Sequence, residues 1–169
     1  MVLASDLRVE PLAGATVAVL LGNSNLSPFR APGCRVFALP NGRLSALRSF
    51  LRLSLPQTPD AAVLKVFLCL SLLDRGNRLI SLTSCAKSTL SLCHRLFPSA
   101  QLFVVLCGVP CDFSQQQRVT HQEFAAFLRT KHPSSCVVLS APVPFIASGS
   151  VWSPATRSSV FASIRRHLN

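Results

Sequence analysis

Residues 16–26 read TVAVLLGNSNL, a short apolar run that stops at a cluster of turn-forming residues. Thr16 to Leu21 has the length and apolar character of a buried strand. Gly22 and the polar residues behind it favour a turn. Such a strand delivers Ser24 just beyond its last residue, where the hydroxyl can project from the edge of a sheet. Taken alone, this pattern also suits an ordinary turn with no chemical role.

The rest of the chain alternates apolar runs with amphipathic stretches. Further strands are predicted at Arg35 to Leu39, Ala62 to Leu70, Leu102 to Leu106 and Cys136 to Leu139. Helices are predicted at Arg43 to Leu53, Ser84 to Phe97 and Thr120 to Arg129, and a last one begins with Ser153 as N-cap and Pro154 in its first turn. This order predicts an α/β fold with a mostly parallel sheet covered on both faces. Sites in such sheets form beyond the carboxyl ends of the strands.

One helix start carries a recognisable motif. Thr120, His121, Gln122 and Glu123 match a capping box, in which the threonine hydroxyl and the glutamate carboxylate satisfy free backbone N–H groups. We therefore expect the third helix to begin at Thr120.

Length and composition predict one compact domain. The chain has 169 residues, of which 49% are apolar and 14% charged, enough to fill a core. We expect a tail at residues 1–13 and a domain over 14–169. Asp6 and Glu10 argue against a secretory signal, and the run from Ala61 to Leu73, interrupted by Lys65, is too short to cross a bilayer. We expect a soluble, intracellular protein, cytoplasmic or nuclear, without a membrane span.

The chain is strongly basic. Lysine and arginine total 17 against 6 acidic residues, giving a formal net charge of +11. Such a surface attracts anionic partners, nucleic acid among them. Arginines scattered over solvated faces explain the charge equally well, since no block of five basic residues occurs. The nearest approaches to clusters are Arg43, Arg48 and Arg52, and separately Arg157, Arg165 and Arg166.

The seven cysteines favour a reducing compartment over a disulfide framework. Several, such as Cys69, lie inside apolar runs, where a free thiol behaves as a small core residue. Cys107 and Cys111 are four positions apart, but no second pair with suitably spaced histidines follows. We therefore expect no metal and no cofactor.

Several segments together resemble, in order and spacing, the sequence blocks of SGNH (GDSL-type) serine hydrolases. The segments are Val17 to Leu26 with Asn23 at the aspartate position of Gly-Asp-Ser, Pro40 to Gly42, Val66 to Arg75, Phe97 to Ala100 and Ser148 to Thr156. Within this family, the chain resembles the SGNH-like proteins of fish retrotransposons and related viral elements. The resemblance implies a three-layer α/β/α fold with a flavodoxin-like five-stranded sheet.

The resemblance also implies which residues stand at the family's catalytic positions. Ser24 occupies the nucleophile position as a vestigial nucleophile, and Gly42 (or Asn41) could supply an oxyanion N–H. Leu73 replaces the oxyanion asparagine, Ser148 the aspartate and Val151 the histidine base. A serine without a base is a poor nucleophile at neutral pH.

No other histidine is well placed to replace the missing base. His94, His121, His132 and His167 fall in predicted helices or at their ends. The sequence therefore predicts a catalytically inactive SGNH-like domain. A residual serine esterase or acetyl-hydrolase using Ser24 is the first alternative, and a basic nucleic-acid-binding accessory protein is the second. Trp152 could contact a substrate, although we expect it to anchor the last helix on the sheet.

Overall fold

The computed structural model describes residues 16–40, 42–70, 78–107, 113–131, 137–141 and 152–168. Their strands are β1 (Ala18–Asn23), β2 (Cys34–Leu39), β3 (Lys65–Leu70), β4 (Gln101–Cys107) and β5 (Val137–Ala141). Their helices are α1 (Leu44–Leu53), α2 (Leu79–Leu96), α3 (Gln115–Lys131) and α4 (Pro154–Leu168), and a single 3₁₀ turn spans Ser24–Leu26.

The strands form one parallel sheet in the order β2-β1-β3-β4-β5. This is the flavodoxin-like order, and the predicted α/β fold class is confirmed. The chain runs outward from β1 to β2, then crosses back to β3 and continues the other way. The strand order therefore reverses at the carboxyl ends of β1 and β3, where doubly wound sheets form their crevices.

The sheet has a hydrophobic core on each face, because its strands are apolar on both sides. In β3, Val66, Leu68 and Leu70 join the core that contains the apolar sides of α1, α2 and α3. Phe67 and Cys69 point the other way, into the core that contains α4. The result is three layers, as the sequence predicts. Burial on both faces explains why β3 is a continuous apolar run, with no alternation of polar residues.

The helices divide between the faces as right-handed crossovers require. The connections from β2 to β3, β3 to β4 and β4 to β5 all move in one direction along the sheet, and their helices α1, α2 and α3 cover one face. The connection from β1 to β2 moves the other way and packs Leu26 and Phe29 on the opposite face. That face is completed by α4.

The predicted start of the third helix is wrong. The helix begins at Gln115, and Thr120 lies inside it. A capping box does form, but earlier in the chain, between Ser114 and Gln117. The Ser114 hydroxyl oxygen accepts from the Gln117 N–H at 3.1 Å, and the Gln117 side-chain oxygen accepts from the Ser114 N–H at 2.8 Å. Glutamine serves at the third helical position as glutamate would, so the helix continues back to this earlier cap.

The other predicted helix starts vary in accuracy. Helix α2 begins at Leu79, five positions before the predicted Ser84. The prediction for α4 is confirmed, since the Ser153 hydroxyl oxygen accepts from the Thr156 N–H at 3.1 Å and Pro154 is the first helical residue. Within the described residues, no helix is both long enough and apolar enough to cross a membrane.

Candidate active site at the carboxyl end of the sheet

Ser24 lies immediately beyond the carboxyl end of β1 and is exposed, while its neighbours Asn23 and Asn25 are buried. The Asn23 side-chain oxygen produces this turn. It accepts from the backbone N–H and from the side-chain amide of Asn25, each at 3.0 Å. An asparagine that binds the backbone two residues on stabilises a tight turn, so the chain leaves the strand with the Ser24 side chain toward solvent.

Gly22 allows the turn to fold back onto its own strand. A Cβ built on Gly22 would lie 2.6 Å from Leu26 Cδ1 and 3.1 Å from Cys69 Cβ. Leu26 therefore packs where a side chain at position 22 would stand. This packing holds the 3₁₀ turn, and Ser24 with it, against the end of the sheet.

Gly42 lies against the residue that precedes the candidate nucleophile. A Cβ at position 42 would come within 2.5 Å of both the backbone nitrogen and the Cα of Asn23. Only glycine permits this approach, and it brings the segment between β2 and α1 to the base of the Ser24 turn. The structure thus brings Gly42 to the end of β1, whereas its role as an oxyanion donor stays a prediction. Asn41, the alternative donor, lies outside the described residues.

The closing segment of the chain reaches the same edge. The backbone N–H of Trp152 donates to the Asn25 side-chain oxygen at 3.0 Å, across 127 positions of sequence. Asn25 therefore bonds both to Asn23 and to the residue that opens the last helix. Sequence reasoning missed this role of Asn25. The only available signal was a second asparagine beside Ser24, which turn propensity alone explains.

Trp152 is an anchor, as expected. It is 2% exposed and belongs to the core between the sheet and α4, with its ring edge-on to Phe161 at 6.4 Å between centroids. The indole N–H finds no hydrogen-bond partner among the described residues. A buried donor without an acceptor costs about 1–3 kcal/mol, so Trp152 stabilises the fold through its apolar bulk.

Three of the four histidines are described, and none is near Ser24. His94 is exposed near the end of α2, which leads to the amino end of β4. His121 lies in α3, on the opposite face of the sheet from the Ser24 turn. Burial, with a smaller contribution from Arg129, lowers its pKa. Both are therefore remote from the candidate nucleophile.

His167 lies at the amino ends of the strands, opposite Ser24. Its carbonyl oxygen accepts from Lys65 Nζ, and Lys65 is in register with Ala18, the first residue of β1. Ser24 follows the last residue of that strand, roughly 20 Å away at about 3.3 Å per residue. The ring of His167 donates through Nδ1 to the Ser163 carbonyl oxygen at 2.9 Å. This histidine cannot act on Ser24.

Leu73, Ser148 and Val151, the degenerate positions of the predicted site, lie outside the described residues, as does His132. Their assignments stay predictions. Val151 directly precedes Trp152 in sequence, so the hydrogen bond from Trp152 to Asn25 is the described contact nearest to the predicted histidine position.

The thiols of Cys34, Cys69 and Cys93 are poorly suited to act as alternative nucleophiles. Burial raises the pKa of Cys69 and of Cys93 to about 12, and it raises the pKa of Cys34 as well. These thiols are neutral at physiological pH and enclosed by apolar side chains. No group of three potential metal ligands occurs among the residues with described positions.

Comparison of the chain with protein-family models, with curated proteins and with solved structures found no match. The fold and the site therefore define a class only: a doubly wound α/β domain that presents an exposed serine at the reversal of its strand order.

Proposed function

We propose that this chain is an SGNH hydrolase-like domain that keeps the nucleophile position and has lost the catalytic chemistry, a pseudoenzyme. The observation that carries the proposal is the placement of Ser24. It is exposed at the carboxyl end of β1, with Gly42 packed against Asn23 and Trp152 bonded to Asn25. Three of the blocks that resemble the family thus meet where an open α/β sheet forms its binding crevice.

The inactivity follows from the residues that would surround the hydroxyl. A serine attacks only when a base removes its proton, and the resemblance gives that position to Val151, which has no basic atom. Leu73 at the asparagine position has no donor for a developing oxyanion. Loss of one such donor costs about 10²–10³ in turnover, and loss of the base is at least as severe, although these losses do not add.

The decisive experiment compares Ser24→Ala with Ser27→Ala. Both variants remove one hydroxyl from the same surface turn, and Ser27 is not at the nucleophile position. Purified protein is offered short acyl esters and a fluorophosphonate probe, which phosphonylates an activated serine oxygen with loss of fluoride. We expect neither turnover nor labelling above the Ser24→Ala background. Turnover or labelling that Ser24→Ala abolishes and Ser27→Ala retains would refute the pseudoenzyme and establish the residual esterase or acetyl-hydrolase.

A rescue variant tests the assignment of the degenerate positions. Ser148→Asp, Val151→His and Leu73→Asn together restore the groups that the family uses. If the assignment is correct, this folded triple variant gains Ser24-dependent labelling by the probe. A folded triple variant that stays unlabelled contradicts the correspondence.

Nucleic-acid binding remains the other class of function to test. One arginine cluster lies on α1 and its N-cap residue, and the other lies on α4. Because these helices cover opposite faces of the sheet, the two clusters do not form one continuous surface. We therefore expect weak binding to RNA and DNA. Tight binding that falls steeply with added salt would instead favour the accessory-protein alternative.

A further inference from the structure

A cavity of about 510 Å³ lies at the amino ends of the strands, opposite Ser24. It opens between the amino ends of β1 and β3, the segment before β2 and the last turn of α4. The lining residues are Val17, Ala18, Arg30, Ala31, Pro32, Leu64, Lys65, Arg165 and Leu168. Since a water molecule takes up about 30 Å³ in the liquid, there is room for roughly 17 non-hydrogen atoms. That is enough for a medium-chain acyl group with its charged head.

The charge of the lining is one-sided. Arg30, Lys65 and Arg165 contribute three cationic side chains, and none of the described residues that line the cavity is acidic. Arg30 is held in place because its guanidinium donates to the carbonyl oxygens of Ser27 and Phe29 at 2.7 and 2.9 Å. The lining as a whole is cationic, so the cavity favours an anion.

Arg165 is fixed with its donors still available. Its guanidinium carbon lies 5.0 Å from the centroid of the Phe29 ring and 5.9 Å from that of Phe161. Such contacts attract the cation to the aromatic rings and do not occupy its N–H donors with acceptor atoms. No hydrogen bond engages these groups within the described part of the chain. The geometry suits bidentate binding of a carboxylate or a phosphate.

Lys65 adds a second usable donor. Its Nζ donates to the carbonyl oxygen of His167, at the end of α4. An ammonium group has three donors and keeps its full charge after binding a neutral carbonyl. Two donors of Lys65 can therefore serve a ligand, beside those of Arg165.

The remaining wall is apolar and open to water. Val17 is 42% exposed and Leu64 is 52% exposed, and they are two of the four large apolar side chains that stay exposed among the described residues. Both line this cavity, as does Leu168. An inorganic anion would bind the cationic side chains and leave the apolar wall exposed to water. A ligand with an apolar tail covers it as well.

We propose that this cavity binds an amphiphilic organic anion, with its charged head on Arg165 and Lys65 and its apolar part against Val17 and Leu64. The site lies at the amino ends of the strands, opposite Ser24, and the proposal does not depend on the proposed function. The head is a carboxylate or a phosphate monoester, since the donors accommodate both.

The proposal is tested by titrating the full chain calorimetrically with octanoate, octyl phosphate, octanol and inorganic phosphate. We expect at least one octyl anion to bind at least about tenfold more tightly than octanol or inorganic phosphate, in line with one or more charge-assisted hydrogen bonds. The tighter of the two octyl anions identifies the head group. Failure of both to bind, or equal binding of octanol or of inorganic phosphate, would overturn the proposal.

Matched variants locate the site. Arg165→Gln should weaken binding of the octyl anion about tenfold or more, whereas Arg166→Gln, the same charge change at the next exposed position of α4, should change it by no more than about twofold. Leu64→Gln should weaken binding further than Leu53→Gln, which alters a side chain 69% exposed and outside the cavity. Equal effects within either pair would place the ligand elsewhere.

Discussion

The side chain of Asn25 and the backbone of Trp152 are joined by a 3.0 Å hydrogen bond. The bond connects the turn after the first strand to the residue before the last helix, and both partners are buried. Since Asn25 also donates to Asn23, this one amide fixes the Ser24 turn from both sides.

Asn25→Ala should therefore destabilise the protein by about 1–3 kcal/mol, because it leaves the backbone N–H of Trp152 buried without an acceptor. Chemical denaturation followed by the fluorescence of Trp152, the only tryptophan in the chain, measures this loss directly. Gln57→Ala is the control, since it removes side-chain hydrogen bonds to backbone carbonyls near the surface. Equal losses for the two variants would show that the Asn25 bond has no special weight.

Gly42→Ala should destabilise the protein by about 1–3 kcal/mol through steric overlap. The added methyl group would lie 2.5 Å from the backbone of Asn23, and a backbone neighbour cannot rotate away. Gly33→Asn is the comparison, because Gly33 has φ of 73° and asparagine tolerates that conformation best among residues with a side chain. A loss for Gly42→Ala no greater than that for Gly33→Asn would contradict the close approach.

Trp152→Phe should cost much less than Trp152→Ala. Phenylalanine keeps most of the apolar volume and removes the unpartnered indole N–H. The stability lost with the smaller ring is therefore partly offset by the stability gained when the buried donor is removed. The alanine variant leaves a large cavity and should lose about 3–5 kcal/mol. Thermal unfolding followed by circular dichroism compares them. A phenylalanine variant as unstable as the alanine variant would show that the indole N–H has a partner.

Alkaline pH should destabilise the fold through Cys69 and Cys93. Their pKa is about 12 in the folded protein against an ordinary value of 9.0, so above pH 9 the unfolded chain loses thiol protons that the folded chain keeps. Stability then falls as pH rises through this window, with a slope that increases for each thiol from about 0.7 kcal/mol per pH unit at pH 9 toward about 1.4 kcal/mol per pH unit above pH 10. Denaturation at several pH values between 9 and 10 measures the slope.

Cys69→Ala should reduce that alkaline slope by up to about 1.4 kcal/mol per pH unit, the share of one thiol, while Cys93 and Cys34 still contribute. The substitution also removes buried volume, which lowers stability equally at every pH and leaves the slope unaffected. An unchanged slope in this variant would show that other groups produce the alkaline loss.

The strands could be predicted from sequence, because a parallel sheet covered on both faces requires continuous apolar runs of strand length. All five predicted strands overlap β1 to β5. The start of α3 could not be fixed, because Ser114 and Thr120 both head a sequence that can form a capping box. Pattern alone does not decide which cap the helix reaches.

The candidate site could be predicted only in part. The position of Ser24 follows from the strand that precedes it. The contact between Asn25 and Trp152 joins distant residues and leaves no periodic signal. The basic cavity is equally hidden, since Lys65 reads in sequence as an interruption of an apolar run and Arg165 as one surface arginine among several.

The packing of Phe29 edge-on against Phe161, with ring centroids 5.1 Å apart, limits the order in which this protein can fold. Strands β1 and β3 occupy the middle of the sheet, yet one of their faces is covered by α4, the last helix. During synthesis that face stays uncovered until the ribosome has released residues 152–168. A nascent chain paused before this point exposes Phe29, Phe67 and Phe103 to water, and these rings are the surface that a chaperone would shield.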